Sequence, residues 1–233
     1  MQNIAQGIKR LFRDSPISTG LLFVNIVLFV LTLATGGFNV VNLARLGALV
    51  PEYVTSEGEY FRILTSMFLH GNIFHFAMNM LALYILGTLM ERLLGPINYF
   101  ILYILSGLAG GVAITLLAGQ GEGVFAQVFG TTMDVTIGAS GSLYGIMAAL
   151  FFITFKKKVW FNPRSIRSIR TLVIINFALT FTFPGISILG HIGGFVIGMI
   201  LSFFLVPDIP YFRKQQYRRF YEQDMPDDEP PLS

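Results

Sequence analysis

The chain has 233 residues, of which 54% are hydrophobic and only 12% are charged, with a net charge of +3. Soluble domains carry about 25% charged residues, so this chain cannot clothe a water-soluble globule, and it has no basic field with which to hold nucleic acid. Zero cysteines exclude disulfides, thiolate zinc sites, iron–sulfur clusters and a cysteine nucleophile.

What remains is a polytopic membrane protein, and its charges mark the spans. No charged residue lies between Asp14 and Arg45, Arg62 and Glu91, Arg92 and Glu122, Asp134 and Lys156, or Arg170 and Asp208. These intervals hold 30, 28, 29, 21 and 37 residues, against the roughly 20 that cross a hydrocarbon core. The last is too long for one helix and is broken by the turn signal Phe183-Pro184-Gly185. The pattern predicts an all-α bundle of six transmembrane helices near 17–36, 69–90, 97–118, 140–156, 169–183 and 187–206. Orientation follows from the cations. With the N-terminus in the cytoplasm, 14 of the 16 Lys and Arg lie on that side and only Arg45 and Arg62 on the other. Both termini are then cytoplasmic.

The ends read as accessories. Residues 1–16 place Ile4, Ile8, Leu11 and Phe12 at helical spacing beside Lys9, Arg10 and Arg13, the pattern of an interfacial helix on anionic lipid. Residues 17–206 form the six-helix domain. Residues 207–233 are a polar, Pro-rich cytoplasmic tail ending in Asp227-Asp228-Glu229-Pro230-Pro231, expected to be partly disordered.

Spans two, four and six all run from outside inward, and each carries polar residues in its first turns. Span two opens with His70 to Asn79 and span four with Gly138-Ala139-Ser140-Gly141; span six carries Gly190-His191-Ile192-Gly193-Gly194. Polar and ionisable groups at membrane depth are costly and mark function by default. From Ser140 to Lys156 a helix measures roughly 24 Å against a core of about 30 Å, so Ser140 should lie below the outer surface. Irregular backbone at that depth survives only within protein or beside water, which implies a wet cavity open to the outside. His75 and Asn79 share a helix face, as do Ser140 and Tyr144. His70 falls half a turn from Asn79 and belongs to the corner where loop becomes helix. Gly141 and Gly145 on span four, and Gly194 and Gly198 on span six, make small-residue ridges that let backbones approach. That approach could bring Ser140 within reach of His191.

Taken singly, each feature has a plainer meaning. A serine in a membrane helix more often bonds a backbone carbonyl, a buried histidine more often serves structure, and glycine stripes pack helices. A metal site is poorly supplied: there is no His-Glu-x-x-His and no carboxylate inside any expected span. A proton-coupled transporter would want ionisable residues along both halves of the spans, and the inner halves have none.

Together the motifs resemble the rhomboid family of intramembrane serine proteases. The likeness runs through Leu46-Gly47-Ala48-Leu49 with Pro51, Gly58 to Thr65, and Met67-Phe68-Leu69-His70. It continues at His75-x-x-x-Asn79, Glu91-Arg92, Gly138-Ala139-Ser140-Gly141 with Tyr144, and His191 with Gly194-x-x-x-Gly198. It covers roughly residues 17–206, and one departure is Phe61, where the family has a loop tryptophan. The resemblance implies a Ser140 nucleophile, a His191 general base and no third acidic residue. It implies an oxyanion hole of His75, Asn79 and the Ser140 N–H, and a Tyr144 ring stacked on His191. His70 and Arg62 would hold the first external loop, and Glu91 and Arg92 would be structural. Substrates would be transmembrane proteins met in the bilayer, with no metal, cofactor or nucleic acid involved. The cytoplasmic membrane of a prokaryote suits the charge pattern, and oligomeric state has no signature. A non-catalytic rhomboid-like binder is the alternative, and keeping both Ser140 and His191 argues against it.

Overall fold

The computed structural model describes residues 12–119, 130–182 and 186–224. Among these the chain is helical, with a single isolated bridge between Leu49 and Thr136. The long helices are α1 (Pro16–Thr35), α2 (Ile73–Leu94), α3 (Pro96–Leu117), α4 (Ser140–Lys156), α5 (Pro163–Thr180), α6 (Ile188–Leu205) and α7 (Tyr211–Asp224). By length and composition α1, α2, α3 and α6 can cross a membrane. Helix α4 is apolar but shorter, at 17 residues, and α5 carries Arg164, Arg167 and Arg170 in its first half.

Helix ends follow local chemistry. Proline stands in the first turn of α1, α3 and α5, where its missing N–H costs nothing. Asn72, Asn162 and Ser187 cap α2, α5 and α6 by accepting backbone N–H groups of His75, Ser165 and Gly190. The expected spans agree with α1, α3, α4 and α6 to within one residue. Two differ. Helix α2 starts at Ile73 rather than 69, because Asn72 is its cap, and it runs through Glu91 and Arg92 to Leu94. Helix α5 starts at Pro163 rather than 169, because the Asn162-Pro163 start signal outweighs the arginines that follow.

A charged residue was expected to end span two, yet Glu91 is only 2% exposed inside it. Its carboxylate accepts the N–H groups of Ile17 at 2.8 Å and Ser18 at 2.7 Å. It thus caps α1 from a different helix, where the exposed N–H groups and the helix dipole favour an anion. Midway along α2, residues Leu83–Gly87 form a π turn. The tail departs from expectation too: Tyr211–Asp224 is a helix, with Arg92 over the Phe212 ring and Tyr211 against Gly95. The interfacial helix expected over residues 4–12 and the acidic end at 227–229 lie outside the described residues, save Phe12, as does the Phe183-Pro184-Gly185 turn.

Helix α4 is the centre of the bundle, buried from Ser142 through Leu150. It meets α6 through glycines. A Cβ on Gly194 would run into the Gly141 carbonyl, and one on Gly198 into the Gly145 backbone. Helix α6 meets α3 the same way: a Cβ on Gly110 would lie 2.6 Å from the Gly190 carbonyl oxygen. Outward faces are apolar, with Phe23, Ile26, Val27 and Val30 of α1 exposed while its Ser18, Asn25 and Thr32 are buried. That inverted pattern suits lipid as the solvent.

The segment between α1 and α2 folds over one end of the bundle as short helices at Val40–Arg45, Pro51–Ser56 and Arg62–Thr65. Arg62 is buried and donates to the carbonyls of Ala44 at 2.7 Å and Ala48 at 3.0 Å, and it pairs with Glu59. Its guanidinium also stacks on Tyr53 and Phe61. Gly138 N–H donates to the Ser66 carbonyl at 2.9 Å, which ties the run before α4 to this loop.

The glycine contact makes a clean prediction. Gly194→Ala should destabilise the purified protein by about 1–3 kcal/mol through overpacking. Gly20→Ala on α1, where nothing lies within 4 Å, should be neutral or slightly stabilising. Equal unfolding midpoints for the two variants in one detergent would contradict the close approach.

Candidate active site

Four helices converge at the start of α4. Ser140 is its first residue, half-buried, with non-helical backbone before it. Tyr144 stands one turn on, on the same face. The His191 ring of α6 lies parallel to the Tyr144 ring, with centroids 3.9 Å apart and 16° between planes. The stacked partner of His191 thus stands one helical turn from Ser140, and the Gly141–Gly194 contact brings the two backbones together there. Thr180 of α5 closes the far side: its Oγ1 lies 3.0 Å from His191 Nδ1 and also meets the Tyr144 hydroxyl.

Helix α2 supplies the opposite wall. His75 and Asn79, four residues apart, both face Gly138. A Cβ built on Gly138 would stand 2.7 Å from His75 Nε2 and 3.4 Å from Asn79 Nδ2. Gly138 has φ +124°, a conformation that only glycine adopts readily. His75 Nε2 and Asn79 Nδ2 therefore meet beside the Gly138 backbone. Asn79 Nδ2 is buried with no hydrogen-bond partner among the described residues. A buried donor left unpaired costs about 1–3 kcal/mol, and this one lies beside Gly138, two residues before Ser140. A cavity of about 30 Å³ adjoins the site, lined by Ser66, Gly138, Ser140, Gly141, Ser187 and Gly190. That is room for one or two water molecules beside polar atoms.

His70 stands outside this ring of groups. It precedes α2, is 1% exposed, and packs edge-on against His75 and Phe76 at centroid distances of 5.1 and 5.3 Å. Arg62 is farther off still, within the loop. Gly141, Gly194 and Gly198 lie in the α4–α6 seam rather than in the cavity wall, except that Gly141 does both. Thr180 and the Asn176 carbonyl, which accepts from Tyr144, have no mark in the sequence. Thr182 sits two residues away with the same composition around it, and only the packing of α5 selects between them.

A rhomboid-domain family model matches residues 57–208. The chain belongs to the rhomboid family. It is similar to a Bacillus subtilis protein named rhomboid protease GluP, 29% identical over 177 residues that cover 76% of this chain and 32% of the relative. It is similar to RHOMBOID-like protein 4 of Arabidopsis thaliana, 31% identical over 70% of this chain and 39% of the relative. A third relative, rhomboid-type serine protease 2 of Emericella nidulans, is 30% identical over 62% of this chain and 26% of the relative. The chain thus spans about a quarter to two-fifths of the length of these relatives. With its membrane-length apolar helices, this rhomboid is an integral membrane protein.

Gly138→Ala should lower stability by about 1–3 kcal/mol, part from the strained φ and part from displacing His75. In a His75→Ala background the second part should vanish, which a double-mutant cycle of unfolding free energies would read. Additive losses would mean that Gly138 and His75 do not touch.

Proposed function

We propose that this rhomboid is an intramembrane serine endopeptidase that cleaves transmembrane proteins with a Ser140–His191 dyad. The observation that carries the reading is the His191 ring stacked on Tyr144, one helical turn from Ser140. The steps follow from those groups. His191 takes the Ser140 hydroxyl proton as Oγ attacks the scissile carbonyl. The tetrahedral oxyanion falls between Asn79 Nδ2, His75 and the Ser140 backbone N–H at the start of α4. The proton then passes from His191 to the leaving amine. Water, activated by the same histidine, hydrolyses the acyl-enzyme and restores the hydroxyl. The unpaired Asn79 donor supports the oxyanion role, because a preformed donor needs no reorganisation when charge develops. The chemistry requires no metal or cofactor.

Supporting roles fall to the remaining residues. Tyr144 holds the plane of the imidazole, Gly138 lets the donors close on the reacting carbon, and Gly141, Gly194 and Gly198 set the α4–α6 spacing. His70 and Arg62 hold the external loop over the site. We further propose that α4 and α5 complete six spans with both termini cytoplasmic, in the plasma membrane of a prokaryote. The short α4 then sets Ser140 several ångströms below the outer surface, in a cavity that water reaches from outside. Residues 17–206 are the protease domain in this reading, with 1–16 and 207–233 as cytoplasmic accessories.

A fluorophosphonate probe on the purified protein should label wild type and not Ser140→Ala. Cleavage of a transmembrane substrate should be lost in Ser140→Ala and in His191→Ala, and the double variant should be no worse than either. Asn79→Ala should lower kcat by up to about 10²–10³ while keeping the fold. An unlabelled but folded wild type would sink the enzyme reading in favour of a binder.

Topology is testable separately, because a protein without cysteines accepts single reporter cysteines. Cysteines at Ser233 and at Ser165 should resist a membrane-impermeant maleimide on intact cells and react after permeabilisation. Labelling of either on intact cells would contradict cytoplasmic ends.

A further inference from the structure

Stacking on Tyr144 fixes the plane of the His191 ring but not which nitrogen faces Ser140. A half-turn about χ2 leaves a stacked imidazole in the same plane and exchanges the sides on which its two nitrogens lie. A directional hydrogen bond must break that degeneracy, and the bond present comes from α5. We propose that Thr180 is the positioning residue for the His191 base: its hydroxyl oxygen accepts the Nδ1–H and so leaves Nε2 bare for the Ser140 proton. The proposal rests on the Ser140–His191 reading and adds to it a residue from a third helix.

The role proposed for His191 requires this tautomer, because a neutral imidazole that takes a proton at Nε2 carries its own at Nδ1. Four contacts meet at the end of α5. The Tyr144 hydroxyl lies 2.7 Å from the Asn176 carbonyl and the Thr180 hydroxyl 3.1 Å from the same carbonyl. The two hydroxyls also meet each other, and Thr180 Oγ1 lies 3.0 Å from His191 Nδ1. With Nδ1 protonated, the Thr180 oxygen accepts the imidazole N–H, and its own hydrogen turns to the Asn176 carbonyl, the back-bond a helical threonine makes to the residue four before it. The Tyr144 hydrogen is shared between the Thr180 oxygen and that carbonyl. Thr180 and His191 are both buried, so bulk water does not compete for this contact. This is the part that a carboxylate plays in a three-residue serine protease: it selects the tautomer and orients the ring. Here a neutral hydroxyl plays it.

The helix that carries Thr180 is otherwise loosely seated. An apolar cleft of about 340 Å³ opens along α5, lined by Phe151 of α4, by Val173, Ile174, Phe177 and Ala178 of α5, and by Phe195 of α6. Near its middle α5 is pinned by Arg170, which donates to the Thr154 hydroxyl at 3.0 Å and to the Thr154 carbonyl at 2.9 Å. The two pins can therefore be removed independently.

The test uses full-length protein in one detergent, with cleavage of a transmembrane substrate as the assay. Wild type must first cleave, and Ser140→Ala must not; failure there overturns the dyad reading and is seen before Thr180 is touched. Thr180→Val keeps the shape and removes the acceptor. It should lower kcat about 10- to 100-fold, change KM less than about 3-fold, and slow fluorophosphonate labelling of Ser140 in parallel. Thr180→Ser restores the acceptor and should return kcat to within a few-fold of wild type. Arg170→Ala loosens α5 without touching the histidine, and should lower the unfolding midpoint while leaving kcat within about 3-fold. Wild-type kcat in Thr180→Val would overturn the proposal. So would a loss in Arg170→Ala equal to that in Thr180→Val, because the hydroxyl would then act only by holding the helix down.

Discussion

Where α4 and α6 cross, no side chain separates the two backbones: Gly194 faces the Gly141 carbonyl and Gly198 faces Gly145. Lipid gives helices no hydrophobic reason to associate, so close van der Waals packing of this kind is what holds two apolar helices in one register. That register places the His191 ring on Tyr144, one turn beyond Ser140. Helix α3 joins the same seam through Gly110, which lies against the Gly190 carbonyl. A methyl group on Gly194, Gly198 or Gly110 would meet backbone of the neighbouring helix at less than 3.0 Å, so the helices would have to move apart.

The second constraint is that polar backbone inside a membrane must be paired within the protein. Glu91 answers it at one end of the bundle by accepting the first N–H groups of α1. Arg62 answers it at the other by donating to the Ala44 and Ala48 carbonyls of the irregular loop. The loop in turn holds the non-helical run before α4 through Ser66 and the Leu49–Thr136 bridge. Each of these charges sits in a site that provides its hydrogen bonds, which is the condition for burying one without a large penalty. Asn79 Nδ2 is among the buried polar atoms without a partner in the described residues, and it lies beside Gly138; the oxyanion role proposed for it uses that free donor.

The site also depends on a helix that contributes no reacting group. Helix α5 reaches the imidazole through one hydroxyl and the rest of the bundle through Arg170 on Thr154, the Asn176 carbonyl and apolar side chains bordering an open cleft. Tight glycine packing on one side of His191 and a loose helix on the other divide the work. The seam sets where the ring lies, and the polar contacts at Thr180 and Asn176 set how it is turned.

Much of this was legible in the residues themselves. Intervals without charge located α1, α3, α4 and α6, because a hydrocarbon solvent forbids charge over a fixed length. The shared face of His75 and Asn79 follows from helical period alone, as does that of Ser140 and Tyr144. The same rule failed at Glu91, since it treats every carboxylate as an exit to water and cannot see that another helix offers its N-terminus there. It failed at α5 because Asn162 and Pro163 start a helix before its arginines, the last of which, Arg170, finds partners on α4. The π turn in α2, the unpaired state of Asn79 and the choice of Thr180 over Thr182 were decided only in three dimensions. Composition and period are properties of one segment against a uniform solvent, and they determined that this is a helical membrane protein with a serine at a short helix's start. Which nitrogen of His191 is held, and by what, depends on contacts between segments far apart in the chain, and only the packed bundle determines it.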